Sequence, residues 1–116
     1  MTSVVELRAR RSLPQRHQAL TLDVRHTFPS TGNSIDLRVT AGLYDDRTIG
    51  EVFVNAGRIG SDTEAVMRDA AIAISLALQH GCPLNLIAGA LTREEDGKPS
   101  SIVGSMVDAV MREVMT

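Results

Sequence analysis

Hydrophobic and polar residues alternate in three stretches of the first half of the chain, over residues 20–24, 35–41 and 49–56. A period of two residues is typical of a strand that buries one face. Turn-forming residues at 29–33 and a break at 42–48 separate the three stretches. The short connections predict an antiparallel meander. In the third strand, Val52, Val54 and Ala56 share one face, and Glu51, Phe53 and Asn55 share the other.

The second half of the chain carries helical signals. Residues 61–64 (Ser-Asp-Thr-Glu) form a capping box, with a serine at the N-cap and a glutamate three residues later. This helix is predicted to run to about His80, because Gly81 suits the position after a helix end and Pro83 prevents continuation. Its second half is apolar nearly all round, so we expect it to be covered on several sides.

Two shorter helical patterns follow Pro83. The first is predicted to end near Thr92, and the second has an apolar stripe over 102–114 with Ser100 or Ser101 as its cap. The length of 116 residues suits one domain. We therefore expect an α+β fold, in which a three-stranded antiparallel meander is followed by three helices packed on one face of the sheet.

Charge divides the chain into a basic arm, residues 1–19, and a mildly acidic body, residues 20–116. The net charge of the whole chain is −2, yet the arm is positive because it holds only one acidic residue, Glu6. We expect an extended, flexible and solvated arm. The alternative hypothesis is an arm that contacts phosphate groups or an acidic partner. The cations of the arm are Arg8, Arg10, Arg11 and Arg16.

Composition narrows the chemistry that the chain can perform. With no tryptophan and only three other aromatic residues, the chain lacks the platforms of base-stacking nucleic-acid modules. The single cysteine, Cys82, provides neither a disulfide framework nor a Cys/His metal site, and it fits a reducing, cytoplasmic setting. No apolar run approaches the ~20 residues that span a bilayer. We expect no metal, no cofactor and no catalytic residues, since no Ser/His/Asp or paired-carboxylate pattern stands out.

Gly57, Arg58, Gly60 and Ser61 form a candidate site for an anionic ligand at the turn before the first helix. Backbone N–H groups at a helix start favour an anion, and Arg58 adds a positive charge. The turn lacks the Lys-Ser/Thr pair of a phosphate-binding loop. A glycine-flanked strand-to-helix turn without a ligand is therefore the alternative interpretation.

A second candidate set consists of Glu51, Ser75, Gln79 and His80, either as a partner site or as polar groups of the core. Ser75 and Gln79 are four residues apart and share one face of an apolar helix, where they need hydrogen-bond partners. His80 suits the negative end of the helix dipole. A small enzyme is a further hypothesis, and it requires at least two of Ser75, Gln79, His80 and Cys82 to meet in an open pocket.

Four segments form a recognisable set of motifs. They are 41–54, an acidic turn followed by Glu-Val-Phe; 57–61, Gly-Arg-Ile-Gly-Ser; 75–83, Ser-Leu-Ala-Leu-Gln-His-Gly-Cys-Pro; and 101–108, which contains Gly-x-x-x-Asp. With the lead-in at 11–17 they resemble the TSCPD domain near the C-terminus of vitamin B12-dependent ribonucleotide reductases. The chain departs from that pattern at Asp46-Arg47, where Asp-Gly is usual, at Arg58 in place of lysine, and at Cys82 in place of an apolar residue.

The resemblance implies the fold and an accessory role, but not reductase activity. A reductase of that kind needs a large barrel, a radical-bearing cysteine and a reducing cysteine pair, which one cysteine cannot supply. The resemblance implies a stand-alone, non-catalytic accessory or regulatory module that binds a protein partner or a nucleotide-like anion, with a link to deoxynucleotide metabolism. The alternative is a small nucleic-acid-binding protein that uses the basic arm. Open strand edges favour a homodimer, through a sheet edge or through the alanine-rich helix.

Overall fold

Three antiparallel strands are followed by three helices in the computed structural model, which describes residues 9–55 and 61–114. The elements are β1 (Gln18–Thr27), β2 (Ser34–Leu43), β3 (Ile49–Asn55), α1 (Ser61–Gln79), α2 (Leu84–Ala90) and α3 (Ile102–Val114). The sheet order is β1-β2-β3. These elements confirm the predicted α+β fold and meander. β1 also takes in the last two residues of the segment predicted to be the arm.

The sheet buries one face because its apolar residues alternate in register across the strands. Val24 on β1 lies opposite Leu37 on β2, and Val39 on β2 lies opposite Val54 on β3. All four side chains are buried, whereas Phe53, on the other face of β3, is exposed. The alternation that predicts the strands therefore also identifies the face that meets the helices.

The core between this face and the helices is aliphatic. Its largest fully buried apolar side chains are Met67 of α1 and Met106 of α3. α1 lies against β3, α3 lies against β1, and α2 packs on α3. None of the helices in residues 9–55 and 61–114 is long and apolar enough to cross a lipid bilayer.

A Schellman motif ends α1. The N–H of Gly81 donates to the carbonyl of Leu78 at 3.0 Å, and the N–H of Cys82 donates to the carbonyl of Ala77 at 2.9 Å. Gly81 has a φ of 94°, the left-handed conformation that glycine adopts without strain. The predicted role of Gly81 as the residue after the helix end is confirmed.

The boundaries of the last two helices differ slightly from the prediction. α2 ends at Ala90, before Thr92, because Leu91 is already extended, with a ψ of 155°. At the start of α3, the Ser101 hydroxyl accepts a hydrogen bond from the N–H of Gly104 at 3.1 Å. Of the two predicted caps, Ser101 therefore fills the role.

An ion pair closes the connection between α2 and α3. The guanidinium of Arg93 donates to both carboxylate oxygens of Asp108 at 2.8 Å, and it also donates to the carbonyl oxygens of Ala88 and Gly97. These hydrogen bonds lower the pKa of Asp108 below its ordinary value of 3.8. Bidentate pairing is among the stronger polar contacts in proteins, so the aspartate of the Gly-x-x-x-Asp segment fixes the position of α3.

Among the described residues, His26 is the one buried histidine, with 1 % of its surface exposed. Its Nδ1 lies 2.7 Å from the Ser105 hydroxyl, and its Nε2 has no partner among the described residues. Burial lowers the pKa of His26 below the ordinary value of 6.5. The ring is therefore neutral in the folded protein near pH 7.

Folding stability is expected to fall as the pH drops below about 6.5. The unfolded chain takes up a proton at His26 before the folded protein does, so protons favour the unfolded state and stability rises with pH. His26→Phe should flatten this dependence between pH 7.5 and pH 5.5 in thermal unfolding scans. His17→Gln is the matched control, because His17 is more exposed and pairs with Glu51. Equal slopes for wild type and His26→Phe would contradict the prediction.

Candidate functional site

The predicted anion turn falls largely outside the described residues. The structure does not describe Gly57, Arg58 and Gly60. For Ser61, the first residue of α1, it describes only the backbone. An anion site at this turn therefore stays a prediction. The second candidate set, which includes Ser75 and Gln79, lies within the described part of the chain.

Ser75 connects the middle of α1 to the edge of the sheet. Its hydroxyl accepts a hydrogen bond from the N–H of Val52 at 2.9 Å and lies 3.2 Å from the carbonyl oxygen of the same residue, to which it donates. Val52 is on β3, an edge strand. The Ser75 side chain thus satisfies both backbone groups of Val52, as a neighbouring strand would. On this side of an edge strand such groups are otherwise unpaired.

Gln79 extends the same contact by one helical turn. Its side-chain N–H donates to the carbonyl of Gly50 on β3 at 2.9 Å, and its Oε1 accepts from Nε of Arg10 at 2.6 Å. Its backbone carbonyl accepts from the N–H of Arg11 at 2.7 Å. Because Gln79 is only 5 % exposed, these bonds form away from solvent. Gln79 therefore joins α1, β3 and the arm.

The described part of the arm also contacts Tyr44, at the end of β2. The guanidinium of Arg11 lies 3.8 Å from the centre of the Tyr44 ring, and the Tyr44 hydroxyl donates to the Arg11 carbonyl. Arg11 also pairs with Asp46 at 3.3 Å. Burial raises the pKa of Tyr44 above its ordinary value of 10.0, so the hydroxyl remains a donor at neutral pH. Flexibility of the arm stays a prediction.

Glu51 meets the arm a few residues further along. Its carboxylate lies 3.0 Å from Nε2 of His17, and both side chains are mostly buried. The other ring nitrogen of His17 lies 2.7 Å from the carbonyl of Pro14. Glu51 belongs to the same predicted candidate set as Ser75 and Gln79. In the structure all three side chains line one groove beside β3.

The turn between β2 and β3 holds Arg47 in an unusual backbone conformation. The N–H of Arg47 donates to the carbonyl of Tyr44 at 2.8 Å, and the N–H of Tyr44 donates to the carbonyl of Thr48 at 2.9 Å. Arg47 has a φ of 67°. This pattern is a type I turn followed by a G1 bulge, where glycine is the usual residue. A side chain there costs about 1 kcal/mol.

A cavity of about 590 Å³ lies between the arm, the C-terminal end of α1 and the end of α3, and we call it the arm cavity. Among the described residues, its basic side chains are Arg11, Arg47 and His80, and no carboxylate lines it. Thr48 and Asn85 add neutral polar groups. The apolar lining includes Ile49, Leu78, Leu84 and Met111.

The arm cavity brings together part of the set that the small-enzyme hypothesis requires. Gln79, His80 and Cys82 line it, whereas Ser75 faces β3 instead. The Cys82 sulfur lies 3.9 Å from the carbonyl of Pro83. The small-enzyme hypothesis stays a hypothesis.

Sequence reasoning did not assign Tyr44 and Arg47 to a ligand site, and it gave Arg11 only a role in the arm. One signal for Arg47 was present, because an arginine stands where the resembling domain usually has glycine. A non-glycine residue at a left-handed position is a pointer to function. No sequence signal places Arg11 and Arg47 in the same cavity, because this depends on where the arm lies against the hairpin.

Comparison with known proteins places this arrangement in a family. The TSCPD domain model matches residues 8–115. The chain belongs to the TSCPD domain family. Its relatives include vitamin B12-dependent ribonucleotide reductases of Rhodopirellula baltica, 34% identical over 89% of this chain, and of Agrobacterium fabrum, 33% identical over 92%. The chain spans about a tenth of the length of these relatives. No solved structure matches it.

The TSCPD motifs have identifiable structural roles in this chain. Within the segment 75–83, Ser75 and Gln79 bind the edge of β3 and Gly81 ends α1. Asp108, in the closing motif, binds Arg93. In this chain these motif residues make structural contacts, and none of the contacts requires reductase chemistry.

Proposed function

We propose that the chain is a non-catalytic accessory module that binds a nucleotide-like anion in the arm cavity, in connection with deoxynucleotide metabolism. The observation that carries this proposal is the lining of the cavity, which includes the guanidinium groups of Arg11 and Arg47 but no described carboxylate. A cavity lined by one sign of charge concentrates ligands of the opposite sign. Its volume of about 590 Å³ lies within the range of small-molecule sites.

The two arginines differ in how firmly they are held. Arg11 stacks on Tyr44 and pairs with Asp46, so its position is fixed while part of its charge is compensated. Within the described residues, the side chain of Arg47 forms one hydrogen bond, to the neutral amide oxygen of Gln18 at 3.3 Å. Its charge is therefore the stronger attraction for a phosphate group, to which guanidinium binds well.

The apolar side of the cavity suits the rest of a nucleotide. Leu78, Leu84 and Met111 line it together with the charged groups. Small-molecule sites commonly combine an apolar wall with a few polar groups that orient the ligand. The link to deoxynucleotide metabolism rests on the relatives, which are ribonucleotide reductases of which this chain matches only a small part.

A protein partner is the second candidate, and an exposed apolar patch favours it. Phe53, Ile72 and Leu76 are 54%, 58% and 41% exposed and line the groove between β3 and α1. Exposed apolar groups in one groove are typical of interaction sites. The nucleic-acid alternative gains less support, because Arg10 and Arg11 are engaged by Gln79, Tyr44 and Asp46. Salt-dependent binding that is lost on deleting residues 1–19 would favour it.

Arg47→Gly is expected to weaken nucleotide binding and to stabilise the protein at the same time. Affinity for a nucleoside triphosphate should fall roughly tenfold, because one charge-assisted contact is lost. The free energy of unfolding should rise by about 0.5–1 kcal/mol, because glycine adopts the left-handed conformation without strain. Calorimetry with nucleoside di- and triphosphates and urea denaturation measure the two effects, with adenosylcobalamin as a comparison ligand.

Two further variants separate charge from strain. Arg47→Gln removes the charge but keeps a side chain at the left-handed position, so binding should weaken without any gain in stability. Arg16→Gln removes one charge from an exposed part of the arm that does not line the cavity, so affinity should be unchanged. No heat with any nucleoside phosphate, or equal affinity in all variants, would refute the nucleotide proposal.

A further inference from the structure

β1 presents an open edge that no described residue covers. It is ten residues long, and within residues 9–55 and 61–114 it pairs with β2 alone. Among residues 9–55 and 61–114, no side chain or backbone group donates to or accepts from the β1 backbone on the side away from β2. The opposite edge, at β3, is bound by Ser75 and Gln79. Side chains of α1 thus bind the backbone at the β3 edge, whereas no described group binds the backbone at the β1 edge.

β1 lacks three of the features with which proteins usually block an edge strand, namely short length, proline and a bulge. It is longer than the usual strand of about 5–6 residues, it contains no proline, and its pairing with β2 shows no bulge. Natural edges are blocked by short length, proline, bulges, covering elements or charged side chains. The charges that β1 does carry, Asp23 and Arg25, are paired with opposite charges on β2. An edge of this kind is suited to pair with another strand.

The solvent face of β1 and β2 carries charges of alternating sign. Arg25 on β1 binds Asp36 on β2 at 2.8 Å, and Asp23 on β1 binds Arg38 on β2 at 3.1 Å. All four side chains are more than 60 % exposed. Along β1 an aspartate and an arginine therefore stand two residues apart, each next to the opposite charge on β2.

We propose that β1 pairs antiparallel with β1 of a second copy of this chain, with Val24 on the two-fold axis. In this register Asp23 lies opposite Arg25 of the second copy, and Arg25 lies opposite its Asp23. The charges then alternate in sign across β2, β1 and the two strands of the second copy, without interruption. A two-fold interface uses the same patch on both copies, so the patch must be complementary to itself.

Charge and side-chain facing select this register over its neighbours. A shift that places Asp23 on the two-fold axis puts two aspartates opposite each other, and a shift to Arg25 puts two arginines opposite each other. Like charges directly opposite are destabilising. A shift of the pairing by one residue would place inner side chains opposite outer ones. A sheet that buries only one face disfavours such a shift.

The inner face of the paired strands supports the same arrangement. Leu20 and Leu22 are only partly buried in the single chain and lie next to the core. The proposed register places Leu22 opposite His26 of the second copy, and Leu20 near its Phe28. Extending the sheet therefore removes further apolar surface from water. No residue of β1 lines the arm cavity, so the cavity does not take part in this pairing.

Charge reversal tests the proposal on the full chain. The wild type is expected to be a dimer in sedimentation equilibrium. Asp23→Arg and Arg25→Asp, each alone, place like charges opposite each other twice, so each should raise the dimer dissociation constant roughly tenfold or more. An equimolar mixture of the two variants should recover the dimer, because every charge at positions 23 and 25 then faces the opposite sign.

Matched controls separate the interface from the charge pairs within the chain. Asp36→Arg and Arg38→Asp break the same intrachain pairs on β2 but leave the two-fold contacts, so both should remain dimeric. Circular dichroism checks that each variant is folded. Hydrogen exchange of the wild type, which needs no variant, should show β1 amides better protected at high than at low protein concentration.

Three results would overturn the proposed dimer. They are a monomeric wild type at every accessible concentration, a dimer that survives both single reversals, and protection of β1 amides that does not depend on concentration. Failure of the mixture to recover the dimer, with both variants folded, would also exclude this register. None of these outcomes bears on nucleotide binding in the arm cavity.

Discussion

Gln79→Leu is expected to lower the free energy of unfolding by about 2–3 kcal/mol. Leucine has a similar volume, so packing around α1 is largely kept. The change leaves the carbonyl of Gly50 without its donor in a buried position, and it removes the acceptor of Arg10. A buried polar group left without a partner costs about 1–3 kcal/mol, and a bond to a charged group adds to this. Urea denaturation measures the loss.

Gln18→Leu is the matched control for this prediction. Gln18 is exposed at the start of β1 and accepts one long hydrogen bond, from Arg47 at 3.3 Å. The same chemical change there should alter stability by less than about 0.5 kcal/mol. Hydrogen exchange of residues 9–17 should also accelerate in Gln79→Leu. Equal losses in the two variants would mean that Gln79 does not join the arm to the sheet.

The side chains of α1 explain why the sheet needs no fourth strand at β3. Ser75 binds both backbone groups of Val52, and Gln79 binds the carbonyl of Gly50. A helix with two polar side chains four residues apart thus satisfies one edge, since residues at this spacing lie on the same face. Among residues 9–55 and 61–114, no helix side chain binds the backbone at the free edge of β1, and this is the edge that the proposed dimer pairs.

The element order could be predicted from the sequence, because each signal is local. Period-2 alternation marks the strands, and Gly81 with Pro83 marks the end of α1. The partners of Ser75 and Gln79 could not be predicted, because they depend on α1 lying along the edge of β3 instead of only across its face. Periodicity identifies which side of a helix is buried, but not where along a strand it lies.

The candidate site was less accessible to sequence reasoning than the fold. Arg11 and Arg47 line the same cavity only because the arm lies against the hairpin and Arg11 stacks on Tyr44. The one local signal was Arg47 at a position where glycine is usual, and its φ of 67° shows the physical meaning of that departure. Strain at such a residue is maintained only where surrounding structure compensates for it.

Gly50→Ala is expected to lower the free energy of unfolding by about 2 kcal/mol, because it overpacks the site beside Tyr44. A Cβ atom at position 50 would lie 2.6 Å from Cζ and 2.7 Å from Cε2 of the Tyr44 ring. The ring has little room to move, since Tyr44 is 6 % exposed and Arg11 stacks on the ring. Urea denaturation measures the change.

A double-mutant cycle with Tyr44→Ala tests whether the ring is the cause. Tyr44→Ala alone should cost about 3 kcal/mol through lost packing. In that background Gly50→Ala should cost nothing or stabilise slightly, because the clash is gone and alanine loses less backbone entropy than glycine on folding. The coupling energy between the two sites should therefore be about 2 kcal/mol.

Gly89→Ala shows what the same change does without a clash. Apart from adjacent residues and the backbone of its own helix, no atom of the described residues lies within 4 Å of a Cβ at position 89, which is exposed on α2. Alanine is the better helix former, so this variant should gain about 0.5–1 kcal/mol. If Gly50→Ala lowers the free energy of unfolding and Gly89→Ala raises it, the loss at position 50 comes from the contact with Tyr44. Tyr44 is the residue that connects the hairpin to the arm. A loss at position 50 that persists in the Tyr44→Ala background would instead place its cause in the backbone of β3.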